Sequence, residues 1–387
     1  MLNKKLIEEE FSFLNGVIFL NVASVVMPPK RVQESYKSYM EEYVQNFGIN
    51  LVSKSWNIVN ETREKISKLI NSKYSHEIAF VKNTCEGMSI LASRYPLKKG
   101  DNVIIADQEH QSALFPWINM HEQKGIVLKV IKNKNGEVDY KEMANAIDNN
   151  TKILIVSSIQ FSTGFLSDLY FLGEECKKKG VIFAVDGIQS VGRMNIDVQK
   201  MNIDYLTCGT NKGLLGTLGA GFVYCSDNIV EKIIPYCAGY QSTINHISPP
   251  SITDNFEYIE WYPHARRFEA GNLNYNCILA ISKGIDLILE LGIDEIEYHI
   301  RKLERRLRES LKNIPLTVVQ AKNEKNWGGI VCIYYPNNQE EKVQEILSKY
   351  KIYCTMRAGY IRLSINFYNT EEQMDIAAKA IDEISKI

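Results

Sequence analysis

The chain has 387 residues, of which 45% are hydrophobic and 24% are charged, a composition typical of a folded globular protein large enough for two domains. Its 45 basic and 46 acidic residues leave a formal net charge of -1 with no block of like charge, which argues against nucleic acid or an anionic membrane as a partner. No apolar run approaches the about 20 residues of a membrane span, and the N-terminus lacks the apolar core of a signal peptide. We therefore expect a cytoplasmic protein.

The cysteines and histidines show no metal-binding spacing. No two of the eight cysteines form a CxxC pair, and the six histidines include no HExxH motif. Most of the cysteines fall inside apolar stretches, which predicts reduced, buried thiols. We predict no structural metal.

The first half of the chain alternates between predicted strands and helices. Strands are predicted at 17–20, 78–82, 102–106, 126–131, 152–157 and 181–185, and helices at 30–44, 56–70, 88–95, 110–124, 139–148 and 167–179. Such alternation predicts an α/β fold with a mainly parallel sheet between helices. The continuous apolar strand at 153–156 indicates burial on both faces of this sheet. A dinucleotide-binding version is disfavoured because no GxGxxG motif follows the first strand.

The turn after the strand at 78–82 has the sequence NTCEG. Asn83 followed by Glu86 three residues later resembles a capping box, which places a helix start here. The free N–H groups and the positive dipole end of such a helix would form an anion site at Thr84 and Cys85. An ordinary helix cap is the alternative.

The stretch 181–224 carries the strongest functional signal. Asp186 ends a buried strand, so its carboxylate points into the crevice where open α/β sheets bind ligands. Gln189 follows closely, and Lys212 lies between a strand at 203–208 and a run of glycines that indicates tight turns and close backbone approach. A lysine can hold an aldehyde cofactor such as pyridoxal phosphate as a Schiff base, while an acid keeps the ring nitrogen protonated. The amide of Gln189 can donate to the phenolic oxygen.

Two further residues are candidates for the same site. His110 follows the strand at 102–106, where an imidazole could stack on the cofactor ring; a histidine on a surface loop is the alternative. Arg362 interrupts an apolar strand at 360–365, and a buried arginine there needs a carboxylate from the protein or from an amino-acid substrate. The alternative is an edge-strand arginine whose head group reaches water.

The second half of the chain begins with an irregular stretch. Between residues 236 and 271 the regular pattern lapses, which indicates a functional segment or an interface. Helices are then predicted at 275–291, 293–311, 339–349 and 370–386, and strands at 316–320, 329–335, 351–355 and 360–365. We place a large domain at 15–275 and a small α+β domain at 276–387, together with residues 1–14.

Together these residues resemble the fold-type I pyridoxal-phosphate enzymes of aminotransferase class V, a family that includes cysteine desulfurases, cysteine and cystine lyases, kynureninases and isopenicillin N epimerase-like proteins. The similarity extends from FLNVAS at 19–24 to FYNTEE at 367–372. Its most specific blocks are VDGIQSVG at 185–192, NKGLLG at 211–216, RRFEAG at 266–271 and RLSINFYNT at 362–370. The resemblance implies a large α/β domain with a mainly parallel seven-stranded sheet, and a smaller C-terminal α+β domain.

The resemblance also implies roles for individual residues. Lys212 would carry pyridoxal 5'-phosphate, Asp186 would pair with the ring nitrogen and His110 would stack on the ring. Gln189 would meet the phenolic oxygen. Further implied contacts are Thr84, Cys85, Thr210 and Asn211 with the phosphate, Asn272 with the phosphate of a second subunit, and Asn21 and Arg362 with the substrate. The family usually forms homodimers whose sites are completed across the interface.

The chain departs from the family pattern at several positions. Asn211 stands where the family often has histidine, and Asn272 where it often has threonine. Desulfurases of this type carry a mobile loop with a nucleophilic cysteine ahead of the carboxylate-binding arginine. Here only MRAGYI at 356–361 precedes Arg362, and Cys354 falls within a predicted strand. Persulfide formation is therefore disfavoured.

We accordingly predict a pyridoxal-phosphate enzyme that acts on a free α-amino acid by removing the proton at Cα. A lyase of the cysteine or cystine type comes first, on the resemblance alone. An aminotransferase or epimerase of the same family is the main alternative. A non-catalytic protein that binds the cofactor, and a nucleotide-binding protein that uses the Thr84 turn, are the alternatives from other classes.

Overall fold

The computed structural model describes residues 2–48, 51–244, 259–319, 321–336 and 338–387, without the side chains of residues 51–53. The strands are β1 (Ile18–Phe19), β2 (Ile78–Val81), β3 (Asn102–Ala106), β4 (Val127–Ile131), β5 (Thr151–Ser157), β6 (Ile182–Asp186), β7 (Tyr205–Gly209), β8 (Gly221–Cys225), β9 (Val318–Val319), β10 (Ile330–Tyr334), β11 (Ile352–Tyr353), β12 (Thr355–Arg357) and β13 (Tyr360–Ser364). The helices are α1 (Lys4–Glu10), α2 (Lys30–Gln45), α3 (Leu51–Ile70), α4 (Thr84–Arg94), α5 (Gln111–Lys124), α6 (Tyr140–Asn145), α7 (Leu169–Lys179), α8 (Tyr275–Leu291), α9 (Ile293–Leu311), α10 (Glu340–Lys349) and α11 (Glu371–Ile384).

A seven-stranded sheet lies at the centre of the molecule. Its strand order is β2-β8-β7-β6-β5-β3-β4. The strands from β7 to β4 in this order pair in parallel, whereas β8 runs antiparallel to both of its neighbours. This arrangement confirms the α/β class with a mainly parallel sheet that the alternation of strands and helices predicts.

Alternate residues of each central strand contribute to two separate hydrophobic cores. In β5, Leu154 and Val156 pack in one core with residues of α7 and α8, while Ile153 and Ile155 pack in the other with residues of α4 and α5. All four side chains are fully buried, which confirms the predicted burial on both faces. Because parallel strands end at a common edge, the polar residues that follow these strands collect in one cleft.

The second part of the chain builds a four-stranded antiparallel sheet in the order β12-β13-β10-β9, which α9 contacts through β10 while α11 packs on α9 and α10. A separate parallel pair joins β1 to β11. Residues 18 and 19 therefore pair with this part of the chain, although the predicted boundary at residue 15 assigns them to the large domain. The domain boundaries stay a prediction.

Several predicted elements differ from the structure in extent. The strand predicted at 351–355 divides at Cys354, because Ile352–Tyr353 pairs with β1 whereas Thr355–Arg357 pairs with β13. The helix predicted at 139–148 covers only Tyr140–Asn145, and the helix predicted from residue 56 begins at Leu51. In the irregular stretch predicted at 236–271, residues 245–258 lie outside the described residues.

Most of the thiols are buried, as the sequence predicts, but Cys85 and Cys237 are exposed and Cys354 is partly exposed. Among the described residues, none of the helices combines the length and the apolar character that crossing a bilayer demands.

Candidate active site

The turn between β2 and α4 has the features of an anion site. Asn83 Oδ1 accepts the N–H of Glu86 at 2.9 Å, and Glu86 Oε2 accepts the N–H of Lys82 at 2.5 Å. Helix α4 therefore begins at Thr84, four residues before the predicted run at 88–95, and the N–H groups of its first turn have no acceptor within the helix. Thr84 Oγ1 is buried without a hydrogen-bond partner in the described structure. Because the N–H of Glu86 is already bound to Asn83, the N–H groups of Thr84 and Cys85, the Thr84 hydroxyl and the positive end of the helix dipole are the groups available to a phosphate.

Asp186, at the carboxyl end of β6, is only 2% exposed. Its Oδ1 accepts the N–H of Ile188 at 3.0 Å, while Oδ2 is buried and has no partner among the described residues. Burial raises the pKa of Asp186 to about 6, although the Ile188 N–H and the charge of Lys212 act in the opposite direction. This oxygen is therefore free to accept a hydrogen bond from a ligand, and the protonated nitrogen of a pyridine ring would supply both a donor and a compensating positive charge.

Gln189 lies in the turn that follows Asp186 and is equally buried. Its Nε2 donates to the carbonyl oxygen of Ala23 at 3.0 Å, and its Oε1 has no described partner. The second N–H of Nε2 is therefore the group that would make the predicted hydrogen bond to the phenolic oxygen of the cofactor ring.

The loop between β7 and β8 packs Lys212 against this turn. A Cβ atom on Gly213 would lie 2.0 Å from the carbonyl oxygen of Val191, and one on Gly192 would lie 2.3 Å from that of Gly213. The backbones therefore approach as closely as the predicted glycine-rich loop requires. No hydrogen bond or ion pair involves Lys212 Nζ within the described residues. Burial lowers the pKa of this amine to about 8, with Asp186 opposing the shift and Arg362 adding to it.

Thr210 and Asn211, which precede the lysine, differ in what they can offer a phosphate. The N–H of Thr210 donates to Ala220 O at 3.1 Å, and its hydroxyl donates to Thr217 O at 2.6 Å and to Ala220 O at 2.9 Å. Both donors of Thr210 have partners inside the loop in this structure, and the predicted phosphate contact of this residue stays a prediction. Asn211 accepts the N–H of Val26 at 2.9 Å through its main chain, and its side chain stays a candidate.

Asn272 lies near the turn at which α4 begins. It accepts a hydrogen bond from the hydroxyl of Tyr240 and lines a cavity of about 710 Å³ together with Asn83 and Glu86. Its side chain is exposed. Its predicted contact with the phosphate of a second subunit stays a prediction.

Arg362 occupies the middle of β13, which lies between β12 and β10, so the edge-strand alternative is wrong. The guanidinium is 4% exposed; Nη1 donates to Phe161 O at 3.0 Å and Nη2 to Ser24 Oγ at 2.5 Å. Thr355 Oγ1 lies 3.3 Å from Nη2 and donates to Asn21 Oδ1 at 2.6 Å, which places Asn21 beside the arginine. No carboxylate of the described residues pairs with Arg362, and its Nε has no partner. Within the described part of the chain, this buried cation therefore has no counterion.

His110 stands at the mouth of the same cleft as the N-cap of α5. Its Nδ1 accepts the N–H of Ser112 at 3.1 Å, and its ring meets that of Phe161 edge to face at 5.0 Å. Burial lowers the pKa of His110, and the positive charges of Lys212, Arg357 and Arg362 lower it further. The structure thus brings His110 near the lysine and the arginine, although its side chain is exposed.

Glu109 is a buried acid for which the sequence alone indicates no role. Its Oε1 accepts hydrogen bonds from Ser157 N at 2.8 Å and from Gln160 Nε2 at 2.6 Å, and its Oε2 accepts the hydroxyl of Ser157. Burial raises the pKa of Glu109 to about 7, and the nearby Asp186 adds to this rise. These bonds fix the loop of His110 to the end of β5. The signal available in the sequence was an acid directly before His110.

Several buried polar atoms in this region have no hydrogen-bond partner among the described residues. They are Thr84 Oγ1, Asp186 Oδ2, Gln189 Oε1 and Arg362 Nε. Native proteins leave few buried polar atoms unsatisfied, so a group of them around one cleft indicates a polar ligand. An acceptor for a ring N–H, a helix N-terminus for a phosphate and a cation for a carboxylate fit pyridoxal phosphate with an amino acid.

Known proteins resemble this chain over almost its whole length. The family model described as Aminotransferase class-V matches residues 18–376. The probable cysteine desulfurase of Methanothermobacter thermautotrophicus is 28% identical over 401 residues, which cover 98% of this chain and 97% of that protein. The probable cysteine desulfurase of Pyrococcus abyssi has the same identity and coverage.

Solved structures resemble the chain over almost its whole length. The apo structure of a cysteine desulfurase from Thermococcus onnurineus superimposes with a TM-score of 0.89 at 25% identity, covering 100% of this chain and 98% of that one. The complex of the cystine C–S lyase C-DES with its product cysteine persulfide gives a TM-score of 0.87 at 19% identity, covering 97% of this chain and 100% of that one. The second likeness concerns the fold.

Proposed function

This chain belongs to the aminotransferase class-V family and is a pyridoxal-phosphate enzyme, and we propose that it is a lyase that eliminates a β-substituent from a free α-amino acid. The observation that carries this proposal is the buried guanidinium of Arg362, which has no counterion in the described structure and lies within electrostatic reach of Lys212. A cation of this kind beside an amine of lowered pKa suits a ligand with a carboxylate and an adjacent acidic carbon.

The bound cofactor supplies an acceptor for the electrons released when a bond to Cα breaks. In this site Arg362 binds the carboxylate of the amino acid and thereby orients Cα. Asp186 holds a proton at the ring nitrogen, and the first turn of α4 holds the phosphate. Lys212, as a neutral amine, accepts the Cα proton at Nζ because its pKa of about 8 leaves part of it unprotonated near neutral pH.

The elimination balances without an oxidant or a reductant. The Cα proton passes to Lys212 Nζ, and the β-substituent leaves with its bonding electron pair. The remaining enamine consumes one water to give a 2-oxo acid and ammonium. With L-cysteine as substrate the products are pyruvate, ammonium and sulfide.

The short connection before Arg362 supports elimination over persulfide formation. Only Ala358 and Gly359 join β12 to β13, so a loop able to carry a nucleophilic thiol is absent from this described stretch. Burial raises the pKa of Cys354 to about 12, which keeps this thiol protonated and a poor nucleophile.

Cysteine desulfurase is the second candidate, because the similar proteins carry that name. This observation stands against the prediction that the chain forms no persulfide. An aminotransferase or an epimerase would use the same removal of the Cα proton by Lys212, and the products distinguish all of these reactions.

The test incubates the holoenzyme with L-cysteine, L-cystine and a panel of other amino acids while pyruvate, ammonium, sulfide and L-alanine are measured. A lyase yields pyruvate and ammonium in equal amounts, whereas a desulfurase yields alanine without pyruvate. Lys212→Ala should abolish turnover, and Cys354→Ala should leave it unchanged. Alanine as the main product, or loss of sulfide release in Cys354→Ala, would overturn the lyase proposal.

We also propose that the enzyme is a homodimer of the cytoplasm. Tyr240, an exposed aromatic residue, hydrogen-bonds Asn272, and Leu218, Ile234 and Ile259 are further exposed apolar side chains, which supports a subunit interface on this part of the chain. Sedimentation equilibrium should give twice the 44.3 kDa mass of the chain. A monomer at micromolar concentration would contradict the dimer.

A further inference from the structure

The sheet face that carries Arg362 carries a second arginine. In the pairing of β12 with β13, Thr355 lies opposite Arg362 and Arg357 lies opposite Tyr360. Residues that face each other across an antiparallel pair project to the same side, as do alternate residues of one strand. Arg357 and Arg362 therefore share a face as diagonal neighbours, whose backbones are about 7–8 Å apart.

Phe161 connects the two arginines with His110. Its carbonyl oxygen accepts Nη1 of Arg362 at 3.0 Å, and its ring lies 5.5 Å from Cζ of Arg357. The same ring also contacts the ring of His110, with 5.0 Å between the two ring centroids. The guanidinium of Arg357 thus lies over the aromatic wall of the cleft that also contains Lys212.

The positive charge in this cleft exceeds what one carboxylate neutralises. The pKa of His110 is lowered first by burial and then by three cations, one of which is Arg357, and Arg357 also contributes to lowering the pKa of Arg362. In the described structure Arg357 forms no ion pair with a carboxylate. Glu340, Glu341 and Glu345 line a neighbouring cavity together with Arg357, but in the described structure none of these three acids pairs with it.

The acids inside the cleft do not balance this charge either. Asp186 is buried at the end of β6, where its unpartnered oxygen suits the ring nitrogen. Glu109 is buried and already accepts three hydrogen bonds from Ser157 and Gln160. One guanidinium therefore remains at the cleft mouth after Arg362 has taken the α-carboxylate.

We propose that the substrate is an α-amino acid whose side chain ends in a second anionic group, and that Arg357 binds this group while Arg362 binds the α-carboxylate. A guanidinium pairs well with a carboxylate or a sulfinate through two parallel hydrogen bonds. The inference rests on the proposed function for the orientation of the amino acid, and it specifies the substrate class. In an elimination, the second anionic group belongs to the part of the substrate that leaves.

The test compares succinate with butyrate as ligands of the holoenzyme by isothermal titration calorimetry. The two molecules have the same number of carbons and differ in the second carboxylate, and neither has an amino group that reacts with the cofactor. Succinate should bind at least about 10-fold more tightly than butyrate, a difference of about 1.4 kcal/mol. Arg357→Gln should remove this preference and Arg357→Lys should keep part of it.

Arg305→Gln is the matched control, because Arg305 is an exposed arginine of α9 paired with Glu324. It should keep the full preference for succinate. Equal binding of succinate and butyrate by the wild type, or an equal loss of both ligands in Arg357→Gln, would overturn the inference. The absorption band of the bound cofactor and the thermal unfolding midpoint show that each variant is folded.

A second arm separates this inference from the proposed function. L-aspartate and L-2-aminobutyrate are titrated while the cofactor band is recorded, and L-aspartate should act at the lower concentration. If no amino acid changes the band while the Arg357-dependent preference for succinate persists, the proposed function fails and the second anion site stands. If both amino acids change the band equally in wild type and in Arg357→Gln, the inference is wrong and the proposed function stands.

Discussion

Lys212 is buried among charges of both signs. Burial is the largest influence and lowers the pKa of the amine to about 8; Asp186 raises it, whereas Arg362 and Arg193 lower it. Roughly a tenth of such amines are neutral at pH 7, far more than for a lysine in water. The reactivity of this residue therefore follows from its surroundings.

The pH dependence of cofactor capture tests this account. The rate at which apo-protein binds pyridoxal phosphate covalently should rise with pH through about 8 and then level off, because only the neutral amine attacks the aldehyde. Arg362→Met removes a cation that lowers this pKa, so the midpoint should move up, by as much as about one pKa unit. Asp186→Asn removes an anion that raises it, so the midpoint should move down. Stopped-flow absorbance measures both shifts.

Arg305→Met, which removes an exposed arginine that pairs with Glu324 and is not among the charges that shift the pKa of Lys212, should leave the midpoint unchanged. A wild-type midpoint near that of a free lysine, or shifts of the same sign in Arg362→Met and Asp186→Asn, would contradict the proposed electrostatics.

The sequence could locate the residues whose place in the fold follows from a local pattern. Asp186 ends an apolar strand and Lys212 stands in a glycine-rich loop, so strand ends and glycines located both, whereas their roles toward the cofactor were implied by the resemblance and stay predictions. The phosphate contact of Thr210 was implied by the resemblance, whereas closure of its loop directs the hydroxyl to Thr217 and Ala220 in this structure. The choice of acceptor for this hydroxyl depends on the geometry of the loop, which leaves no pattern in the sequence.

Among the secondary-structure elements, the edge strand β2 has backbone groups on its free side bonded by a buried ion pair. Glu269 Oε1 accepts the N–H of Phe80 at 2.7 Å, and Arg63 Nε donates to Ile78 O at 3.3 Å. Arg63 and Glu269 pair with each other, and their side chains are 6% and 0% exposed. The two side chains thus satisfy backbone groups that a neighbouring strand would otherwise pair. Glu269 belongs to the RRFEAG block, and this contact gives the block a structural role.

Glu269→Gln should therefore destabilise the protein strongly, because it leaves the charge of Arg63 buried and unpaired. The expected loss in the free energy of unfolding is about 3–5 kcal/mol, measured by urea denaturation. Arg63→Met combined with Glu269→Leu should cost less than the sum of the single changes.

Asp375→Asn, which breaks the exposed ion pair with Arg306, is the matched control and should change stability far less. A loss in Glu269→Gln no larger than in this control would show that the buried pair does not hold β2.

The sequence predicts strands correctly where an apolar pattern determines them, and wrongly where pairing with a distant strand determines them. The apolar strands of the central sheet are buried on both faces, so each is visible as a continuous run. The strand predicted at 351–355 divides because its first half pairs with β1 near the N-terminus. No local pattern contains that partner.

In the molecule as a whole, Arg193 connects the seven-stranded sheet with the four-stranded sheet. This fully buried guanidinium donates to Gln189 O at 2.8 Å in the turn after β6, to Gly329 O at 3.2 Å before β10 and to Ile365 O at 2.7 Å after β13. Burial lowers its pKa to about 10. Arg193 therefore fixes the cofactor turn relative to the strand that carries Arg362.

Arg193→Lys should weaken amino-acid binding more than cofactor binding, because a single ammonium group does not reach all three carbonyl oxygens. The dissociation constant of the amino acid should rise about 10-fold, with a smaller change for the cofactor. Titration of the cofactor band and fluorescence titration of apo-protein measure the two constants. Parallel changes in both constants would show a general loss of structure in place of a link between the sheets.

The proposed chemistry depends on a covalent bond between Lys212 and the cofactor. The most direct measurement reduces the holoenzyme with borohydride, which fixes a Schiff base irreversibly, and locates the modified lysine by peptide mass spectrometry. We expect one pyridoxyl group on the peptide that contains Lys212 and none on the corresponding peptide of Lys212→Ala. A pyridoxyl group on another lysine in the wild type, or an unmodified chain, would contradict it.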